Sequence, residues 1–265
     1  MKFPLLLLAL SAALFAYTDN DMDGVDDATD RCPHTPLNEL VNEEGCTVQS
    51  LGSKAHYDVV FGLGYSQLNY VSNTKDDTLT TSVQGDYVKG NFSAQVAASR
   101  FSSSTESGMN DILAAGYYQL PIDDHLSIKL GGGVLLPTYD SGYGNEATDY
   151  LGSISVSYLI SPEVGLIGGY THTVVNDDNV PGVLYYHDTD AFFLGANYMV
   201  DEKLAIGASY QSSDSIYHNV ETIENLSAFG LYRFDRHWFG NIGYSYGLSD
   251  SASDHAFDLR IGYSF

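Results

Sequence analysis

The sequence predicts an all-β fold, an antiparallel up-and-down transmembrane β-barrel of about 12 strands, preceded by a small, loop-rich calcium-binding module. Three observations support the barrel: apolar and polar residues alternate from residue 56 onward, short and long connections alternate, and the last strand alternates to the final residue. A period of two is the period of a β-strand. Unpaired backbone groups at an open sheet edge would each cost several kcal/mol in lipid, so we expect the sheet to close.

The last strand, residues 255–265, shows the clearest alternation. One face carries Phe257, Leu259, Ile261, Tyr263 and Phe265, and the other face is small or polar. A tilted strand of about 9–11 residues crosses a bilayer. A final amphipathic strand that ends in Phe resembles the signal that Gram-negative outer-membrane β-barrel proteins present to their assembly machinery. The resemblance implies that Tyr263 and Phe265 belong to this signal and that the protein resides in the outer membrane.

The first 16 residues are typical of a secretory signal peptide. A charged Lys2 precedes an apolar run over residues 3–10, and small residues follow up to Ala16. This run is too short to span a membrane and a polar segment follows it. We predict cleavage after Ala16, with Ala13 as the alternative.

The charge balance excludes some classes of partner. The chain carries 11 Lys and Arg against 34 Asp and Glu, a net charge of -23, so nucleic-acid phosphates would repel it. The 21 tyrosines suit the boundary between membrane and water, where a ring can lie in lipid while its hydroxyl stays hydrated. We therefore expect contacts with outer-membrane lipids and lipopolysaccharide, and none with nucleic acid.

The barrel is predicted to occupy residues 56–265, after a linker at 51–55. The predicted strands cover residues 56–70, 78–88, 92–102, 110–120, 126–137, 148–160, 164–174, 187–200, 204–213, 222–234, 238–248 and 255–265. Tight turns alternate with longer polar segments, as in barrels with short periplasmic turns and long external loops. With an even number of strands, both ends of the barrel chain face the periplasm.

The predicted module at residues 17–50 contains a calcium-binding pattern. A 12-residue run from Asp19 has oxygen donors at positions one, three, five, nine and twelve, with glycine at position six. Ca²⁺ requires six to eight oxygens, and the glycine permits the sharp turn. The predicted ligands are the side chains of Asp19, Asp21, Asp23 and Asp30, the Val25 carbonyl, and Asp27 directly or through water. The alternative is a solvated acidic linker.

The residues after this run extend the pattern. Cys32 and Cys46 are the only cysteines, and an oxidising periplasm would let them pair. With the segments CPHTP and VNEEGC, the stretch 19–46 resembles a bacterial thrombospondin type 3 repeat. The resemblance implies a connector stiffened by Ca²⁺. We expect the module on the periplasmic side or in the mouth of the barrel.

The predicted lumen face is mostly glycine, serine and alanine, which leaves space for water. Its predicted charged residues are Asp58, Asp86, Lys129, Arg233, Asp258 and Arg260, and opposite charges could face each other across the lumen. These features predict a narrow porin-like channel for a small solute. The alternative is a structural or periplasmic-interaction barrel whose lumen is closed.

An enzyme is the third possibility, because some outer-membrane barrels hydrolyse lipids. His172 and His218 each lie beside hydroxyl or amide residues near a predicted barrel rim. Catalysis would require a nucleophile beside a base and a third group that orients the base. Neither histidine matches the His-Ser-Asn type of signature that outer-membrane lipases carry, and the sequence predicts no catalytic residues.

Overall fold

The structure is a computed structural model that describes residues 19, 21, 24–27, 29–35, 39–50, 55–69, 75–138 and 146–265. The predicted signal peptide, with its cleavage after Ala16 or Ala13, lies outside the described residues. So do Asp23 of the predicted calcium loop and most of the linker, residues 51–54. The chain divides into two compact units, residues 1–54 and 55–265.

The first unit is a small disulfide-linked hairpin. Strands β1 (Glu39–Val41) and β2 (Thr47–Ser50) pair antiparallel. The Cys32–Cys46 disulfide, with a Cα–Cα distance of 5.0 Å, joins the loop before β1 to the turn before β2. The buried Thr35 hydroxyl oxygen lies 2.9 Å from the carbonyl oxygens of both Cys32 and Gly45, and its single proton can be donated to either of them. The disulfide and this hydroxyl therefore hold the same two segments together.

The second unit is built from strands β3 to β15. Their bounds are β3 His56–Asn69, β4 Lys75–Lys89, β5 Phe92–Ser102, β6 Ser107–Met109, β7 Ile112–Pro121, β8 Leu126–Leu136, β9 Asp149–Leu159, β10 Val164–Val174, β11 Thr189–Met199, β12 Leu204–Ser213, β13 Ile223–Arg233, β14 Trp238–Gly247 and β15 His255–Ser264. Both β6 and β7 pair with β5 and are separated by Asn110 and Asp111. They form one interrupted wall strand, so the barrel has the predicted twelve.

The barrel closes where its last strand meets its first. β15 pairs antiparallel with β3, with Arg260 opposite Gly62, and every other wall strand pairs antiparallel with its neighbours in sequence. This pairing confirms the predicted closed, antiparallel, up-and-down barrel. All backbone groups of the wall therefore have partners available within the sheet, as a membrane-spanning structure requires.

The distribution of apolar side chains is inverted relative to a water-soluble domain. Among the described residues, the buried apolar side chains are Ala115 and Ala252, at 8% and 2% exposure. Phe61, Leu194 and Ile242 are each about 60% exposed, at 59%, 64% and 63%. Strand alternation turns such residues outward. An outward apolar band is what a bilayer covers.

No helix within the described ranges is both long and apolar enough to cross a membrane.

The two ends of the barrel differ in their connections. Five tight turns occupy one end, called here the turn end, and the longer connections occupy the other, called the loop end. At the turn end a side-chain oxygen of Asp123, Ser161, Asp201 or Asp235 accepts hydrogen bonds from the backbone N–H groups two and three residues later. These bonds lower the pKa of the three aspartates.

The turns are also joined to one another through the backbone. The carbonyls of His125, Glu163, Lys203 and His237 accept hydrogen bonds of 2.7–2.8 Å from Leu159, Met199, Arg233 and Ser264, each at the end of the next hairpin. The side-chain oxygens hold each turn in shape, and the carbonyls link adjacent hairpins. The rim at the turn end is therefore a continuous hydrogen-bonded chain over these four hairpins.

The predicted strand bounds lie within two residues of the observed ones, except at the start of β4. β4 begins at Lys75 rather than at residue 78. The three residues from 75 to 77 are all charged, so they show no apolar alternation from which a strand could be predicted. The predicted strand at 110–120 begins at Ile112 and is preceded by the short β6, because Asn110 and Asp111 interrupt the pairing with β5.

Candidate functional site

All six predicted lumen charges lie on the inner face. Directly opposed residues of antiparallel strands point to the same side, and the registers place Asp58 opposite Asp86, Lys129 opposite Ser155, and Arg260 opposite Gly62. The same alternation along β15 and β13 places Asp258 and Arg233 on the inner face. The outward residues of these strands, such as Phe61 and Leu259, are exposed and apolar.

The inner charges make few ion pairs with one another. Arg260 Nε lies 3.7 Å from Asp258 Oδ2, and both side chains remain partly exposed to the lumen. Asp86 instead accepts hydrogen bonds from Gln84 Nε2 at 2.7 Å and from Gln95 Nε2 at 3.2 Å. The contact between Asp258 and Arg260 runs along one strand, β15, rather than across the lumen as predicted, and amides satisfy Asp86.

The network around Asp86 continues along the wall. Tyr117 donates from its hydroxyl to Gln95 Oε1 at 3.3 Å. Lys129 Nζ lies 5.8 Å from the centre of the Tyr117 ring, within the range of a cation–π contact. One side of the lumen is thus a connected polar surface running from β4 to β8.

A cavity of about 370 Å³, called here the central cavity, adjoins this polar surface at Gln84 and lies at mid-height in the lumen. Its polar lining consists of Gln84, Ser209, Gln211, Ser227, Asn241, Ser245, Asp258 and Arg260. The hydroxyls of Ser227 and Ser245 lie 2.8 Å apart. Two aromatic rings, Phe229 and Phe239, line the same space. This volume lies at the lower end of the range typical of ligand pockets.

The aromatic residues of the lumen were not predicted from the sequence. Four inner rings lie directly opposite glycines on the next strand, in the space that a Cβ at those glycines would occupy: Tyr117 over Gly131, Phe193 over Gly169, Phe229 over Gly207 and Phe239 over Gly262. The predicted face of small residues is therefore partly covered by rings. The signal in the sequence is a pairing of glycine with an aromatic residue, which becomes visible only once the register is known.

The turn end of the lumen holds a second cavity, of about 350 Å³, whose lining carries charges of both signs. His56, Arg233, Arg236 and His237 line it together with Asp58 and Asp235. Asp58 Oδ1 is buried and has no hydrogen-bond partner among the described residues. Its two arginines balance its two aspartates, whereas the opposite mouth is acidic.

The loop end is acidic. Asp111, Asp149 and Asp177 lie near one another, and the Asp149 carboxylate is buried and accepts a 2.7 Å hydrogen bond from the Asn176 backbone. Burial raises the pKa of Asp111 and Asp177, and the charge of Asp149 raises both further. Hydrogen bonds from the backbone N–H groups of Thr138 and Ala147 act in the opposite direction. We call these three residues the acidic trio.

Two long connections are pinned together at the same end. Tyr186 forms an isolated bridge with Tyr217, and their ring centres are 5.6 Å apart. The adjacent rings of His187 and His218 are 5.4 Å apart. His218, one of the two histidines considered for catalysis, therefore packs against another loop histidine.

His172, the other histidine considered for catalysis, lies on the outer face of β10. Its Nδ1 is 2.7 Å from Asp190 Oδ1, and the same oxygen accepts a hydrogen bond from the Tyr170 hydroxyl. The register sets Gly152 opposite His172 on β9. Within the described residues, no hydroxyl nucleophile contacts the imidazole, so the arrangement is a His–Asp pair rather than a triad.

The N-terminal unit shows part of the geometry expected of a calcium loop. Asp19 Oδ2 accepts a 2.9 Å hydrogen bond from the Gly24 N–H, which closes the loop at the predicted glycine. Asp30 Oδ2 is buried and has no hydrogen-bond partner in the described part of the chain. Asp21 Oδ2 accepts from the N–H groups of His34 and Thr35 at 2.6 and 2.7 Å. Among the residues that the structure describes, no group of three or more candidate ligands is assembled.

Comparison with known proteins identifies the fold. An outer-membrane channel from Pseudomonas putida F1 aligns with a TM-score of 0.61 at 13% identity, over 86% of this chain and 98% of that one. The chain has the fold of outer-membrane channel barrels. The NanC porin aligns with a TM-score of 0.56 at 13% identity, over 78% of this chain and 98% of that one. The KdgM porin aligns with a TM-score of 0.52 at 11% identity, over 78% and 99%. No family model matches the sequence, and no curated protein matches it.

Proposed function

We propose that this protein is a narrow, porin-like channel for small solutes in the outer membrane of a Gram-negative bacterium. The observation that carries the proposal is the closed barrel with apolar residues outside and a polar central cavity inside. A water-filled polar interior is typical of porins. The similar structures bear the names of channels and porins, which agrees with this function.

We further propose that the turn end faces the periplasm, with the N-terminal module on that side. The loop end then faces outward among lipopolysaccharide. The centre of the Tyr263 ring lies 4.8 Å from that of Phe265 and 5.0 Å from that of Trp238. The Phe265 side chain is 69% exposed. The exposed Phe265 side chain would be accessible to the barrel assembly machinery, as the resemblance of the last strand implies.

Single-channel conductance tests the channel directly. Residues 17–265, refolded and inserted into a planar bilayer, are expected to give discrete openings both with Ca²⁺ and with a chelator. Openings that occur only with the chelator would instead identify the N-terminal module as a plug. A folded barrel that stays silent in both conditions would contradict the channel and favour a closed structural or periplasmic-interaction barrel.

Calcium binding by the N-terminal module is a separate proposal. The buried Asp30 Oδ2 without a hydrogen-bond partner favours it, because a buried carboxylate oxygen is costly unless a cation or donor meets it. We expect Ca²⁺ to protect residues 17–50 from protease, and Asp21→Ala with Asp30→Ala to abolish that protection. Glu43→Gln, an acidic position outside the loop, is the matched control. Protection that survives the double substitution would show that the module is not a metal site.

Hydrolysis of outer-membrane lipid is the second candidate activity, and the contact between His172 and Asp190 is the observation behind it. Phospholipid hydrolysis by the wild-type protein that His172→Ala removes would assign an enzyme. Hydrolysis that is absent, or unaffected by this substitution, would leave the channel as the proposed function.

A further inference from the structure

The residues that line the central cavity indicate which class of solute it can bind. Its charged lining residues are Asp258 and Arg260, which lie 3.7 Å apart and cancel in net charge. Two residues that line the cavity show its height in the barrel. Arg260 lies near the middle of β15 (His255–Ser264), and Ser227 lies near the middle of β13 (Ile223–Arg233). A solute crossing the barrel therefore meets a polar region of zero net charge at mid-height.

The polar groups of this cavity have hydrogen-bonding capacity to spare. Within the described residues no hydrogen bond joins the side-chain amides of Gln211 and Asn241 to another residue, and Gln84 uses only its Nε2. An amide offers two N–H donors and a carbonyl acceptor. A hydroxyl is also both a donor and an acceptor, so solutes with several hydroxyls match this set better than solutes with a single charge.

Two rings supply the apolar part of the site. Phe229 and Phe239 line the cavity and are held over Gly207 and Gly262 of the neighbouring strands. Because the glycines lack a Cβ, each ring can lie close to the wall. A pocket that combines apolar surface with a few placed polar groups is typical of small-molecule sites. Sugar rings present both C–H faces and hydroxyl edges to such a site.

Other solute classes fit less well. The acidic trio at the loop end would repel anions. A hydrocarbon in the cavity would displace the water that can hydrogen-bond the amides of Gln211 and Asn241, and it would leave those amides without partners. We infer that the central cavity is a binding site for neutral polyhydroxylated solutes, with the chemistry of a small sugar. This inference rests on the proposed channel, because it names the solute that the channel admits.

Current blockade in a planar bilayer tests the inference. Sucrose is expected to block the wild-type channel reversibly and with saturation. Gln211→Met with Asn241→Leu keeps side-chain size but removes two hydrogen-bonding groups, and it is expected to weaken half-maximal block about tenfold or more. The conductance without sugar should remain measurable. Gln119→Met, a lumen amide that does not line the cavity, is the control and should leave the block unchanged.

The outcomes separate this inference from the proposed function. A conducting channel that sucrose does not block with saturation, or equal block of wild type and double variant, would overturn the sugar site and leave the channel standing. Stronger block by glycine betaine than by sucrose would assign the cavity to zwitterions, through Arg260 and Asp258. For a silent barrel, equilibrium binding of radiolabelled sucrose to the detergent-solubilised full chain decides the question, with binding supporting the site and no binding overturning it.

Discussion

The ring of Phe193 lies on the inner face of the barrel, directly over Gly169 on the adjacent strand. Its neighbour Phe192 points outward and is 49% exposed on the apolar surface. Of these two consecutive phenylalanines, one therefore faces the lumen and the other faces the lipid side. Together they offer a matched test of which face lines a water-filled path.

Phe193→Ala should increase single-channel conductance, because it removes an aromatic ring from the lumen. Phe192→Ala should leave conductance unchanged, because its ring faces lipid. Conductance in planar bilayers at constant salt is the measurement, after heat-modified gel mobility has shown that both variants fold. An unchanged conductance in Phe193→Ala would mean that this ring does not line the conducting path.

Asp201→Ala should lower the urea midpoint for unfolding, because two backbone N–H groups lose the acceptor that holds their turn. Asp201→Asn should retain most of the stability, since an amide oxygen can accept the same two hydrogen bonds. Tryptophan fluorescence during urea titration would report the midpoint through Trp238. Equal losses for both variants would indicate that charge, rather than the hydrogen bonds, stabilises the turn.

The same turn has a defined pH dependence. The hydrogen bonds lower the pKa of Asp201, Asp123 and Asp235, so the folded state favours their ionised forms. Their contribution to stability is therefore present above the ordinary Asp pKa of about 4 and is lost as the pH falls through the lower folded values. Asp201→Asn should show a smaller loss of stability in this acidic window than the wild type.

Asp177→Asn should reduce the preference for cations over anions, measured as the reversal potential under a salt gradient. The acidic trio contributes negative potential at the loop end, and this substitution removes one of its charges. Ser104→Asn, at an exposed loop position outside the trio, is a control. A reversal potential that stays the same in Asp177→Asn would show that ions do not pass the trio.

Acidification should affect the trio before it affects the turns. The pKa values of Asp111 and Asp177 are raised, so the stability tied to their neutral forms is full below the ordinary Asp pKa and is lost as the pH rises through the folded values. Lowering the pH from 7 towards these values should therefore decrease cation preference and stabilise the loop end together. Asp177→Asn should be less sensitive than the wild type in both measurements.

Cys32→Ser should destabilise the N-terminal unit selectively. The disulfide closes a loop with a sequence separation of 14 residues, and a bridge of this size is worth about 3 kcal/mol in the chain-entropy model. Limited proteolysis should cut residues 17–50 faster in this variant while the barrel stays intact. Cleavage at the wild-type rate would mean that other contacts, such as those of Thr35, are sufficient.

The strand pattern was predictable because it is local. Alternation along β15 placed Phe257, Leu259 and Ile261 on one face and Arg260 on the other, and the structure confirms the closed twelve-stranded barrel. The predicted lumen charges also lie on the inner face, since a strand with one face in lipid allows only one assignment of its charges. The calcium ligands and the signal peptide stay predictions.

By itself, the sequence determined the all-β class, the number of wall strands and the two faces of the clearest strands, such as β15, because strand alternation is a property of consecutive residues. Only the tertiary structure decided which side chains of different strands contact each other. Three examples involve residues from different strands or loops. They are the Phe193 ring over Gly169, the amides around Asp86, and the acidic trio. Such contacts depend on register and on closure of the sheet, and these arise from hydrogen bonds between segments far apart in the chain.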